Sequence, residues 1–86
     1  MKITFSKNAW IEYSNWLEED RKIQKKINAL LKDIIRNPYD GLGKPEQLKH
    51  NFSGIWSRRI TDEHRLTYRI LDEEVEIIKC KYHYSK

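Results

Sequence analysis

Glu46 is flanked by Lys44 and Lys49, and the chain beyond it carries Arg58, Arg59, Arg65 and Arg69. From 44 to 69, six basic residues meet only three acidic ones, Glu46, Asp62 and Glu63. A carboxylate among cations can take a proton from a hydroxyl next to a phosphodiester that the cations hold. The same grouping also describes a solvated acid in ordinary surface ion pairs, each contributing about 0–1 kcal/mol. Near the end of the chain His83 lies between Tyr82 and Tyr84. An imidazole exchanges protons near neutral pH and can pass one to a leaving alkoxide. A single histidine at a chain end is more often passive surface than catalyst.

Other chemistries fit poorly. His50, His64, His83 and Cys80 follow no zinc-ligand spacing, and neither CxxC nor HxxxH occurs. No metal and no cofactor is therefore expected. Cys80 alternates with Ile78 and Tyr82, which suits a small core residue better than a nucleophile. Gly41-Leu42-Gly43-Lys44 lacks the rest of a phosphate-cradling loop.

The elements that must carry these residues read as follows. Lys2 to Phe5 alternates polar and apolar, as a short edge strand does, and Ser6 stands where a helix cap belongs. Ala9, Trp10, Tyr13, Trp16 and Leu17 form one face of a first helix. Trp10 and Trp16 both fall on that core-facing stripe. Asp20 is placed to cap a second helix, roughly 21–36, in which Ile23, Ile27, Leu30, Leu31 and Ile34 keep helical spacing. Asn37-Pro38 ends it, and 39–45, with two glycines and a proline, is a loop. Ile55 to Ile60 is strand-like. Thr61-Asp62-Glu63-His64 is a tight connection. Leu66, Tyr68 and Ile70 alternate with Arg65, Thr67 and Arg69 in a half-buried strand. Asp72-Glu73-Glu74 is a further turn. In the last strand, 75–82, the apolar phase slips between Ile77 and Ile78, which requires burial on both faces or a bulge. The expected architecture is α+β: an antiparallel sheet packed against two N-terminal helices.

A chain of 86 residues has room for a single domain, 1–86. Hydrophobic residues make up 38%, below the usual ~45–50%, so the core must be thin and the outer face charged. The net charge is +4, which favours a polyanionic partner, nucleic acid or an anionic membrane surface. No apolar run approaches the ~20 residues of a membrane span, and Met1 to Phe5 leads into polar residues rather than a signal-peptide core. The single cysteine fits a reducing cytoplasm.

From Lys44-Pro45-Glu46-Gln47-Leu48-Lys49 through Ile55-Trp56-Ser57-Arg58-Arg59-Ile60 and Thr61-Asp62-Glu63-His64-Arg65-Leu66 to Tyr82-His83-Tyr84, the chain resembles the Txe/YoeB family of toxins. The resemblance runs from Met1 to Tyr84 and implies the RelE-like toxin fold. It further implies a toxin of a type II toxin–antitoxin pair, an endoribonuclease (mRNA interferase) that cuts messenger RNA in the ribosomal A site and blocks translation. A YefM-like antitoxin is its expected partner, with no membrane association; family members often form homodimers, but no residue here demands one. By that resemblance Glu46 matches the proton acceptor and His83 the proton donor. Arg65 matches the arginine that stabilises the reacting phosphate, and Tyr84 an active-site tyrosine. Lys49 and Arg59 match supporting RNA-binding positions, and Lys44 and Arg58 are expected to join them. Ser85-Lys86 extends past the tyrosine at which the family commonly ends.

The implied reaction needs no metal. Glu46 removes the proton of a ribose 2′-OH, the oxygen attacks phosphorus, Arg65 stabilises the charge, and His83 protonates the departing 5′-oxygen. Two non-enzymatic readings of the same fold compete with it: a toxin that only binds RNA or the ribosome, and a ParE-like inhibitor of DNA gyrase. Neither requires Glu46 and His83 to exchange protons.

Overall fold

The computed structural model describes residues 1–49 and 54–84. His50 and the Ser85-Lys86 tail lie outside the described residues. In chain order the elements are β1 (Lys2–Phe5), α1 (Lys7–Glu19), α2 (Arg21–Arg36), β2 (Glu46–Gln47), β3 (Ile55–Arg59), β4 (Arg65–Leu71) and β5 (Glu74–Lys79).

Both helices begin at the residues whose chemistry demands it. The Ser6 hydroxyl accepts from the Ala9 amide at 3.1 Å and donates to the Ile78 carbonyl at 2.9 Å, so one residue caps α1 and ties it to β5. The Asp20 carboxylate accepts from the Lys22 and Ile23 amides and starts α2. Asp20 is also the residue that closes α1, its amide donating to the Trp16 carbonyl. The two helices therefore turn on a single residue.

The sheet runs β1-β5-β4-β3-β2. Strands β2 to β5 pair antiparallel, as expected, but β1 lies parallel to β5, with Ile3 opposite Val75 and Phe5 opposite Ile77. The sheet is mixed rather than wholly antiparallel. β4 occupies one edge of β5 and leaves the other open. The helix pair after β1 provides the long crossover that a parallel neighbour needs.

The phase slip in the last strand is a bulge. Tyr68 pairs with Ile77 but Thr67 pairs with Lys79, so Ile78 is the extra residue. The core lies between the helices and one sheet face. Ala9 and Trp16 of α1 and Ile27, Leu30 and Ile34 of α2 close over Leu66, Tyr68, Val75, Ile77 and Cys80. Trp16 packs inside as expected, but Trp10 does not: it is 55% exposed and stacks on Tyr13 beside Phe5 at the sheet edge. The helical stripe is wider than the surface the sheet offers, and the residues at its margin stay in water.

Candidate functional site

The sheet face away from the helices carries the alternate positions Ile55, Ser57 and Arg59 of β3 opposite Arg69, Thr67 and Arg65 of β4. At one end of this face Lys44, Glu46, Ser57, Arg59 and Arg65 line a cleft of about 110 Å³. Glu46 reaches it because β2 pairs Glu46 with Ser57, which puts the carboxylate on the same face as Arg59 and Arg65.

Lys44 reaches it through a tight turn. Gly43 has φ +78°, and a Cβ there would meet the Arg59 carbonyl oxygen and a Leu30 methyl, each at 2.9 Å. Only glycine allows the chain so close, and the closeness lets the Arg59 amide donate to the Gly43 carbonyl at 2.6 Å. Lys44 follows, itself left-handed at φ +50°.

Arg65 is oriented by the backbone of the 61–64 connection. Its Nη1 donates to the carbonyls of Thr61 at 2.5 Å and of Asp62 and His64 at 3.1 Å each. Arg59 is half-exposed and pairs with the Asp62 carboxylate at 3.7 Å. The Nε2 of His83 lies 3.4 Å from the Asp62 carbonyl, the same oxygen that Arg65 holds. His83 is thereby brought to the arginine side of the cleft. Tyr84 lies elsewhere: it lines a second cleft with Ser6, Ile55, Arg69, Glu76 and Ile78, on the same sheet face but toward β5. Lys49 is exposed two residues beyond β2 and is not among the residues lining the first cleft. Arg69 shares the face of Arg65, but its Nε is paired with Glu76 at 2.5 Å.

Arg58 overturns an expectation. As the neighbour of Arg59 it points to the opposite face and is fully buried, so it cannot meet RNA. Its guanidinium donates to the Asp33 carboxylate at 2.6 Å, to Tyr68 Oη at 3.0 Å, and to the carbonyls of Asn37, Asp40 and Leu42 at 2.5, 2.8 and 3.1 Å. Tyr68 Oη in turn donates to the Pro38 carbonyl at 2.9 Å. Arg58 thus ties down the whole loop that leads into Lys44 and Glu46. The Leu42 amide and then the Arg58 guanidinium hold the Asp33 carboxyl below its usual range. Burial raises the Tyr68 phenol, partly opposed by its bond from Arg58.

The far end of the site rests on α1. Glu12 and Trp16, one turn apart, bind the backbone of Cys80: Glu12 Oε1 accepts from its amide at 2.7 Å, and Trp16 Nε1 donates to its carbonyl at 3.0 Å. The Cys80 thiol is buried, and burial together with the Glu12 charge pushes it up to about 12. It is a core residue. Among the described residues, no three His, Cys, Asp or Glu side chains gather as metal ligands.

Sequence reasoning missed Ser57, although strand alternation with Arg59 marks it. It also missed the Asp62 carbonyl, for which no side-chain signal exists.

Two helices on a five-strand mixed sheet, with Lys44, Arg59 and Arg65 around the Glu46 carboxylate in one cleft, define a small α+β protein with a basic exposed sheet face. The sequence model of the YoeB-like toxin of bacterial type II toxin–antitoxin systems matches residues 5–84. Toxin YoeB of Escherichia coli K12 is 55% identical over 98% of this chain and 100% of its own. The structure of a YoeB/ParE toxin from Agrobacterium tumefaciens superposes with a TM-score of 0.95 at 43% identity, covering 98% of this chain and 100% of that one. Staphylococcus aureus YoeB has been solved as a dimer and in a YoeB–YefM complex, with TM-scores of 0.91 and 0.90 at 50% and 49% identity, covering 98% of either chain. The chain belongs to the YoeB family of type II toxins.

Proposed function

We propose that this toxin is an endoribonuclease that cuts messenger RNA in the ribosomal A site without a metal. The supporting observation is the cleft that unites Glu46 with Lys44, Arg59 and Arg65, while His83 adjoins Arg65 through the Asp62 carbonyl. Glu46 accepts the 2′-hydroxyl proton as the O2′–P bond forms. His83 gives its proton to O5′ as the P–O5′ bond breaks, leaving a 2′,3′-cyclic phosphate and a 5′-hydroxyl. Arg65, anchored beforehand by three carbonyls, meets the charge developing on the phosphoryl oxygens with little reorganisation. Arg59, Lys44 and the more distant Lys49 hold the flanking backbone. Tyr84, in the adjoining cleft on the same face, offers a ring on which a neighbouring base can stack.

The partners follow the relatives. A YefM-like antitoxin silences the toxin, and two copies assemble as in the S. aureus dimer. No helix among the described residues is long and apolar enough to cross a membrane, and the site of action is the cytoplasmic ribosome.

The test is cleavage of a defined messenger in a purified translation system, with ends mapped with and without ribosomes. Glu46→Gln and His83→Gln should each lower the rate by about 10²–10⁴ with the fold intact. Blocked translation without cuts would replace the nuclease with a ribosome-binding toxin. Untouched translation would point to gyrase.

A further inference from the structure

His64 is buried, with 6% of its surface exposed, and plays no part in the chemistry described above. Its ring is wedged against Trp16 of α1, with centroids 4.8 Å apart, and against Tyr82, at 5.2 Å. Its Nδ1 accepts a hydrogen bond from the Tyr82 amide at 2.9 Å. The amide of the next residue, Arg65, donates to the Tyr82 carbonyl at 3.2 Å. Both backbone groups of Tyr82 are therefore pinned by two consecutive residues at the start of β4.

Tyr82 needs pinning. Its φ is +58°, the left-handed region that a bulky L residue rarely adopts. That turn has a geometric consequence. An extended continuation of β5 would carry His83 about 13 Å beyond Lys79. Instead the chain folds back: Lys79 Nζ reaches the His83 carbonyl at 3.5 Å, and the His83 ring comes to the Asp62 carbonyl beside Arg65. The Lys81 ammonium, 5.5 Å over the Tyr82 ring and 5.4 Å over that of Trp16, closes the turn from outside.

We propose that His64, as the neutral imidazole protonated on Nε2, is the positioning residue that sets His83 and Tyr84 for reaction by clamping the strained turn at Tyr82. The function of the clamp rests on the nuclease reading; its existence does not. The tautomer follows from the bond. A nitrogen that accepts from an amide carries no proton, so the ring proton sits on Nε2, which faces Glu63 Oε1 at 3.4 Å. The 61–64 connection fixes the ring in turn, because the Thr61 hydroxyl accepts from the Glu63 and His64 amides at 3.2 and 3.0 Å. Thr61 and Asp62 supply carbonyls to Arg65 from the same connection. One turn thus orients the arginine directly and the histidine of the site through Tyr82.

The experiment combines imidazole nitrogen NMR, hydrogen exchange and single-turnover cleavage on the full chain. In the parent, His64 should show an unprotonated Nδ1 and a protonated Nε2; the opposite tautomer overturns the clamp. His64→Leu should stay folded, lose protection of the Tyr82 amide, and lower kcat on the ribosome about 100-fold, because misplacement by ~1 Å costs that much. KM should move far less than kcat, since Lys44, Arg59 and Arg65 still hold the RNA backbone and only the Tyr84 stacking contact shifts with the turn. His64→Asn places an oxygen where Nδ1 was and should recover most of the protection and most of kcat. His64→Gln places its oxygen near Nε2 and should recover neither, so this pair decides the matter even if the leucine variant fails to fold. Equal recovery by Asn and Gln, or kcat unchanged after protection is lost, overturns the proposal. A parent that cuts no RNA sinks the nuclease reading instead, and the clamp then stands or falls on Tyr82 exchange alone.

Discussion

Arg58→Met keeps most of the side-chain volume under β3 but removes every donor of the guanidinium. The loss falls on five acceptors: the Asp33 carboxylate, Tyr68 Oη, and the carbonyls of Asn37, Asp40 and Leu42. Asp33 keeps the Leu42 amide as its remaining described hydrogen bond, whereas the other acceptors surround a guanidinium with no exposed surface and are left unpaired. Leaving several partners of a buried charged donor unpaired costs about 3–5 kcal/mol in total. A domain of this length has a total stability of only about 4–13 kcal/mol. At roughly 4–8 °C per kcal/mol, Tm should fall by about 12–40 °C. The assay is thermal and urea unfolding of the parent, Arg58→Met, and Arg58→Met with Asp33→Leu. The double variant should recover part of the loss, because it abandons no charge. Arg59→Ala, in contrast, changes a half-exposed residue and should stay within about 0.5 kcal/mol. An Arg58→Met protein within about 1 kcal/mol of the parent would refute the assignment of Arg58 to the fold, and would return it to the nucleic-acid surface.

Two further expectations concern titration and reactivity. Asp33, held below its ordinary carboxylate value of 3.8, adds stability that is full above that value and lost as pH falls through the lower folded value; Asp33→Asn should flatten this acid limb in pH-dependent urea melts. Tyr68, raised above 10.0, works in the opposite direction: its contribution is full below pH 10 and lost as pH rises through the folded value, so Tyr68→Phe should remove alkaline sensitivity. The Cys80 thiol, at about 12 and buried, should resist iodoacetamide at pH 8 in the native protein and react on unfolding; rapid native alkylation would contradict its burial.

The helices and β4 were legible because their signals are local. Ser6 and Asp20 cap where their side chains can reach the next amides, and Leu66 and Tyr68 alternate with Arg65 and Arg69 as a two-faced strand must. The bulge at Ile78 was legible as a broken phase. The parallel pairing of β1 was not, since nothing in four residues names a partner more than seventy positions away. Trp10 was misplaced because a helical stripe specifies a direction and not the width of the sheet beneath it. For the site, composition marked the basic segment, and resemblance assigned the roles. Neither could separate Arg58 from Arg59, adjacent residues of one type that a strand sends to opposite faces.

That separation explains how so small a protein can hold two distant groups in register. Among the described residues the buried apolar core lies between the helices and one sheet face, so the side chains of the cleft on the opposite face are not fixed by that core. The flanking segments are held by polar anchors instead. Arg58 gathers the 37–42 carbonyls ahead of Lys44 and Glu46, and Glu12, Trp16 and His64 gather the backbone of Cys80 and Tyr82 ahead of His83. Hydrogen bonds suit this task better than apolar packing, because each fixes a direction as well as a distance. They also make the arrangement brittle: an apolar substitution that a core would absorb removes an anchor outright and leaves its partners unpaired. The nuclease reading therefore carries a structural corollary. Loss of activity should appear at Arg58 and His64, neither of which lines the cleft, while Arg69, bound to Glu76 on the cleft's own face, should matter less.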